Sequence, residues 1–155
     1  MTEKLREVLR LAREQKYNDA LDVIDELQEA GPIPPSLLVQ KGILIQLAEN
    51  SAYTIHDVEK AYLEALSIDE DYVEALNELG YLNYAVLDDA AKARPLFERA
   101  HELCKSQMTE SVTGLANCIF ELEGREKALE FVHEVLAEPF DMEEITTLKQ
   151  ELIAE

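Results

Sequence analysis

Three histidines, two cysteines and one run of carboxylates are the side chains from which this sequence would have to build a catalytic or metal site. His56, His101 and His133 lie far apart. No two of them have the i, i+4 spacing that turns a pair of imidazoles onto one helix face to hold zinc, so they are expected as surface or inter-helix histidines. Asp69, Glu70 and Asp71 offer oxygen ligands to a hard cation. They lack the mid-loop glycine and the closing glutamate of a calcium-binding helix-loop-helix, and a solvated turn that caps the next helix is expected there. Cys104 and Cys118 are expected as two buried thiols in a reducing compartment, one ending a helix and the other lying within the next. Gly31, Gly42, Gly80, Gly114 and Gly124 never cluster into a phosphate-cradling loop. Paired carboxylates are frequent, but 33 acids generate such pairs by chance. The expectation is therefore no catalytic residue, no cofactor and no metal. A small metal-dependent enzyme stands only as a remote alternative, which a stoichiometric bound metal would revive.

The elements that would have to position any site are helical. Of 155 residues, 47% are hydrophobic and 30% charged, with five glycines, five prolines and no tryptophan. Few breakers and an abundance of Ala, Leu, Glu and Lys favour helices over a turn-rich β fold. A chain this long buries roughly 68–70% of its unfolded surface without staples, which fits one domain over residues 1–155. The formal charge is −19. Such a field repels a phosphate backbone and an anionic bilayer, so neither nucleic acid nor membrane is expected as a partner. The most apolar window, Leu37 to Ala48, is interrupted by Gln40, Lys41 and Gln46 and is too short to span a bilayer. The charged start MTEKLREVLR does not read as a secretory leader, and the chain is expected to be cytoplasmic.

An internal period organises these helices. The strings DALDVIDELQEAGP, DVEKAYLEALSIDE, AKARPLFERAHELC and EKALEFVHEVLAEP share one apolar pattern. Anchors at Ala20, Val58, Ala93 and Ala128, and a second set at Leu27, Ala65, Ala100 and Val135, both give separations of 38, 35 and 35. Before each string lies another periodic segment: Glu3 to Glu14, Ser36 to Glu49, Tyr72 to Leu87 and Thr109 to Glu123. The unit is helix, turn, helix, with repeats at about 3–34, 35–70, 71–106 and 107–140. Pro32, Pro34 and Pro35 end the first pair, Ser36 is placed to cap the next helix, Gly124 suits a left-handed C-cap, and Pro139 closes the last repeat. Asp141 with Glu144 then opens a capping helix over 141–155, whose Ile145, Leu148, Leu152 and Ile153 recur at helical spacing.

In the third unit, VEALNELGYLNY sets Leu76, Leu79, Gly80 and Asn83 at spacings of 3, 1 and 3, with the small Gly80 where a neighbouring helix must come close. That pattern resembles the tetratricopeptide repeat family. The third copy carries Leu76, Leu79, Gly80, Ala93, Phe97 and Ala100. The second keeps Gly42, Tyr62 and Ala65, the first Tyr17, Ala20 and Pro32, and the fourth Leu115, Ala116 and Ala128. No copy is complete. The second holds about four extra residues near ENSAYTIHD, and the third one extra around Asp88 and Asp89. The resemblance covers about residues 3–138. It implies an all-α, right-handed solenoid of about four such repeats with a C-terminal capping helix.

It also implies a concave groove lined by the first helix of each pair. Carried over by position, the lining includes Leu9, Val39, Ile43, Asn77, Tyr81, Tyr84, Asn117 and Phe120, an apolar and aromatic surface with amides able to bond a peptide backbone. Relatives that grip a C-terminal carboxylate use Lys and Arg where this chain has Glu74, Glu78, Gly114 and Glu121, which disfavours that ligand. A partner with apolar residues flanked by Lys or Arg suits the acids better. From Gln107 onward 12 acids face 3 bases, −9 of the total. The expected function is a non-catalytic adaptor or scaffold holding a peptide or helix of another protein. The alternative is an acidic inhibitor or immunity-type protein masking a basic toxin or enzyme, and self-association through repeat ends or grooves stays open.

Overall fold

A computed structural model describes residues 2–49 and 52–137. The expected capping helix over 141–155, Pro139 and the Asp141–Glu144 box lie outside the described residues. Among those described the chain is all-helical: α1 (Thr2–Arg13), α2 (Tyr17–Ala30), α3 (Pro35–Leu47), α4 (Ile55–Ile68), α5 (Val73–Tyr81), a π-helical turn (Leu82–Val86), α6 (Ala90–Glu123) and α7 (Arg125–Ala137). The contacts divide the chain into two compact units, residues 1–104 and 105–155.

In the first unit each helix begins and ends for a local reason. At the end of α1, Gln15 takes a positive φ of 58°, and the Lys16 amide closes onto the Leu11 carbonyl at 2.9 Å. This left-handed residue spends the free carbonyls of the last turn and lets the chain reverse. Pro34 is the N-cap of α3 and Pro35 its first residue, where a missing N–H costs nothing. Ser36, expected as the cap, therefore sits inside the helix. α4 opens on Thr54, whose amide and hydroxyl both donate to Asp57 Oδ2, at 2.8 and 2.7 Å. The Asp69–Asp71 run forms the expected turn, with Asp69 Oδ1 accepting the Asp71 amide at 3.1 Å and the Asp71 carboxylate held by Arg99 at 2.6 Å, but it does not cap the next helix, whose N-cap is Tyr72.

Packing follows chain order. α1 lies on α2, α2 on α3, α3 on α4 and α4 on α5, and α3 also touches α5. α3 is thus covered from several sides, which explains why Leu37, Leu38, Val39, Leu44 and Ile45 are all buried. Val39, expected on the partner-facing surface, is 3% exposed and belongs to the core. Packing against α2, α4 and α5 buries the side of α3 that carries Val39, and that outweighs a position borrowed from a repeat.

Two glycines admit aromatic rings. A Cβ on Gly42 would stand 2.7 Å from Tyr62 Cζ, and one on Gly80 would stand 2.8 Å from Phe97 Cζ. In both cases the glycine is in the first helix of a pair and the ring in the second, so the missing methyl sets how closely the pair packs. The close approach expected at Gly80 is present.

α6 corrects the expected boundary between the third and fourth pairs. Instead of a turn between Cys104 and Thr109, one helix runs from Ala90 to Glu123. The intervening Lys105, Ser106, Gln107 and Met108 include neither glycine nor proline, and helix formers continue a helix unless something stops it. Thr109 and Ser111 are accommodated by donating their hydroxyls to the carbonyls of Lys105 and Gln107, both at 2.9 Å. In the second unit, Gly124 takes a φ of 94° and receives the end of α6, as expected of a left-handed cap, before α7 begins at Arg125.

Candidate functional site

The end of α5 departs from regular α-helix. Where α5 would continue, the backbone widens into a π turn: the Leu87 amide bonds the Leu82 carbonyl five residues back, at 3.0 Å. The Leu79 carbonyl, which accepts the Leu82 amide, also receives Asn83 Nδ2 at 2.8 Å. Asn83 is 3% exposed, and its backbone carbonyl accepts the Asp89 amide at 2.8 Å. Asp88, with a φ of 53°, lets the chain turn back into α6. Single π turns are concentrated at functional positions because they re-aim the side chains that follow.

The turn places Leu82 and Asn83 side by side in the core and pushes Tyr84, Ala85, Val86 and Leu87 outward together. Tyr81 and Tyr84 are 59% and 60% exposed, unusually open for side chains of this size. The Tyr81 ring meets Phe97 edge to face, with centroids 5.0 Å apart and planes at 72°. Below it on α5, Glu74, Asn77 and Glu78 precede Tyr81 by seven, four and three residues, one side of the helix. The result is a ridge with aromatic rings at its upper end and carboxylates at its foot.

The sequence-derived lining separates on this structure. Asn77, Tyr81 and Tyr84 share the ridge. Ile43 is half-buried against the core, Val39 lies inside it, and Leu9 is exposed on α1 in an open depression with Arg6, Arg10, Arg13 and Glu14. In the second unit, Asn117 and Phe120 are exposed on α6. Cys104 and Cys118, expected buried, are both exposed thiols.

One cluster escaped sequence reasoning. Lys41 Nζ, in a side chain only 15% exposed, reaches Asp25 Oδ1 at 2.6 Å and Gln28 Oε1 at 2.5 Å, and lies 5.5 Å from the centre of the Tyr53 ring. Tyr53 donates its hydroxyl to the other Asp25 oxygen. Burial, then the Asp25 contact, pushes the Tyr53 phenol well above its ordinary range. The group ties α2, α3 and the entry to α4 together. The available signal was a lone cation in the most apolar window of the chain, since a buried ammonium must find a carboxylate.

Two further phenols of the first unit are raised. Burial, then the Glu78 charge, raises Tyr62, and the hydrogen bond to Glu74, then burial, pushes Tyr72 up to about 12. Among the described residues, no group of three or more His, Cys, Asp and Glu side chains is arranged to hold a metal ion, and no helix is long and apolar enough to cross a membrane. His56 is exposed with Nδ1 3.5 Å from Glu59, and His101 and His133 are exposed elsewhere. No protein-family model matches the sequence, and no curated protein proves similar to it.

Proposed function

We propose that the chain is a non-catalytic interaction module of the cytoplasm, an adaptor or scaffold that holds a peptide or helix of another protein. In this proposal the helix pairs are tetratricopeptide-like repeats stacked as a right-handed solenoid, and the first helix of each pair faces the partner. Support for the repeat comes from the two glycine–ring contacts, Gly42 with Tyr62 and Gly80 with Phe97, which occupy matching places in successive pairs. The observation that carries the binding role is the exposure of Tyr81 and Tyr84 on adjoining turns, one of them in edge-to-face contact with Phe97. Rigid aromatic side chains contribute large contact area at small entropic cost. Leu9 and Asn77, and in the second unit Asn117 and Phe120, are further candidate contacts.

The test is capture from the native host by tagged protein, identified by mass spectrometry, then repeated with Tyr81→Ala and with Phe120→Ala. Each variant should keep its helical circular dichroism and lose partner. Undiminished capture by both folded variants would reject the module. A second proposal, an acidic inhibitor masking a basic toxin or enzyme, is favoured by the charge of −19. It requires association that slows steeply as salt is added, and a salt-insensitive complex would argue against it.

A further inference from the structure

The surroundings of the tyrosine ridge bear on the chemistry of its partner. Residues 42–91 contain eleven acids and one base, Lys60. Ion pairs with Arg99 and Lys92 engage Asp71 and Asp89. Among the described residues, no ion pair engages Glu74, Glu78 or Asp88. These three acids flank the exposed Tyr81 and Tyr84 in sequence, two before and one after. An apolar surface set in uncompensated like charge repels acidic partners and attracts basic ones, which supplies both encounter rate and choice of partner.

We infer that the ridge formed by α5 and the π turn is a docking surface for a basic amphipathic helix of another protein, whose aliphatic residues lie on Tyr81 and Tyr84 while its Lys and Arg side chains meet Glu74, Glu78 and Asp88. This rests on the module proposal and goes beyond it by assigning the ridge and the partner's charge. A second copy of this chain fits less well, because two bodies of charge −19 repel before they touch. The raised phenol of Tyr72, hydrogen-bonded to Glu74, agrees with a negative potential at the foot of the ridge.

The test uses three labelled synthetic 14-residue helical peptides with the full chain: one with a Leu face and a Lys/Arg face, one with the same Leu face and a Glu face, and a scramble of the basic peptide. Fluorescence anisotropy at two salt concentrations reads affinity. The patterned basic peptide should bind at least about tenfold more tightly than either control. Tyr81→Ala with Tyr84→Ala should weaken it by about tenfold or more, with the helical signal retained. Glu74→Gln with Glu78→Gln should weaken it severalfold and flatten its salt dependence.

Equal binding of the scramble would reduce the effect to general attraction by an acidic chain and overturn the inference. Tighter binding of the Glu-faced peptide, lost with the tyrosines, would overturn the partner's charge yet leave the module standing. Loss of basic-peptide binding on Leu9→Ala but not on the tyrosine substitutions would move the site to α1. Sedimentation showing self-association abolished by the tyrosine substitutions would make a second copy the occupant and also overturn it. So would the absence of binding by all three peptides.

Discussion

Replacing Gly42 by alanine tests whether the helix pairs are held at their observed spacing by a missing methyl group. The new Cβ would stand 2.7 Å from Cζ and 3.0 Å from Cδ1 of Tyr62. Tyr62 has no exposed surface into which to retreat. Its hydroxyl is also tethered, accepting from Gln46 Nε2 at 2.8 Å and donating to Glu78 at 3.4 Å. Overpacking a well-filled core costs about 1–3 kcal/mol, and a ring this confined belongs in the upper half of that range. Against this, alanine in a helix interior regains roughly 0.8–1.0 kcal/mol over glycine. The net expectation is destabilisation by about 1–2 kcal/mol. Gly114 is the opposite case. It lies inside α6 with nothing within 4 Å of a built Cβ, so Gly114→Ala should stabilise by about 0.5–1 kcal/mol. Gly80→Ala falls between, because Phe97 at 2.8 Å is half-exposed and can give way. Urea unfolding followed by circular dichroism should rank the midpoints Gly114→Ala above the parent, and the parent above Gly42→Ala. A Gly42→Ala midpoint at or above the parent's would refute the packing account.

The remaining predictions concern single contacts. Asn83→Ala removes the amide that serves the Leu79 carbonyl in the π turn and should cost about 1–2 kcal/mol, read as a lower urea midpoint; no change would show that the turn does not depend on it. Lys41→Ala leaves Asp25, which is 38% exposed, to rely on Tyr53 and solvent, and should cost about 1–2 kcal/mol, less than a fully buried pair. Lys41→Met, which keeps the apolar stem, should recover part of that loss. Thr54→Ala should cost about 1 kcal/mol through the start of α4. The Thr54 hydroxyl and amide hold the Asp57 carboxyl below its ordinary 3.8, so its stabilisation is fully present above that pH and is lost as the pH falls through the lowered folded value. The difference between the parent and Asp57→Asn should therefore be full at neutral pH and fade in strong acid.

Element type and most boundaries were legible because they depend on local physics. Pro35 starts α3, Gly124 ends α6, and apolar periodicity gives each helix its buried side. The Gly80 contact was legible because a glycine in a helix needs a reason. The repeat register misled where it was preferred to local chemistry. It implied a turn after Cys104 where neither glycine nor proline interrupts the helix, and it turned Val39 outward although neighbours cover its helix from several sides. The single extra residue near Asp88 was visible as a count, but nothing local shows that it is absorbed as a π turn. The outward placement of Tyr81 and Tyr84 was legible and agrees with their exposure, whereas the Lys41–Asp25–Tyr53 group was not, because its members are 16 and 28 residues apart.

Docking on the ridge made by α5 and the π turn, as inferred above, is open to observation residue by residue. Its most direct test is a titration of ¹⁵N-labelled protein with the Leu-faced basic peptide, following each backbone amide by NMR. Perturbations should concentrate between Glu74 and Asp88 and saturate together. Shifts spread evenly over the acidic faces of all the helices, with residues 74–88 no more affected than the rest, would contradict it.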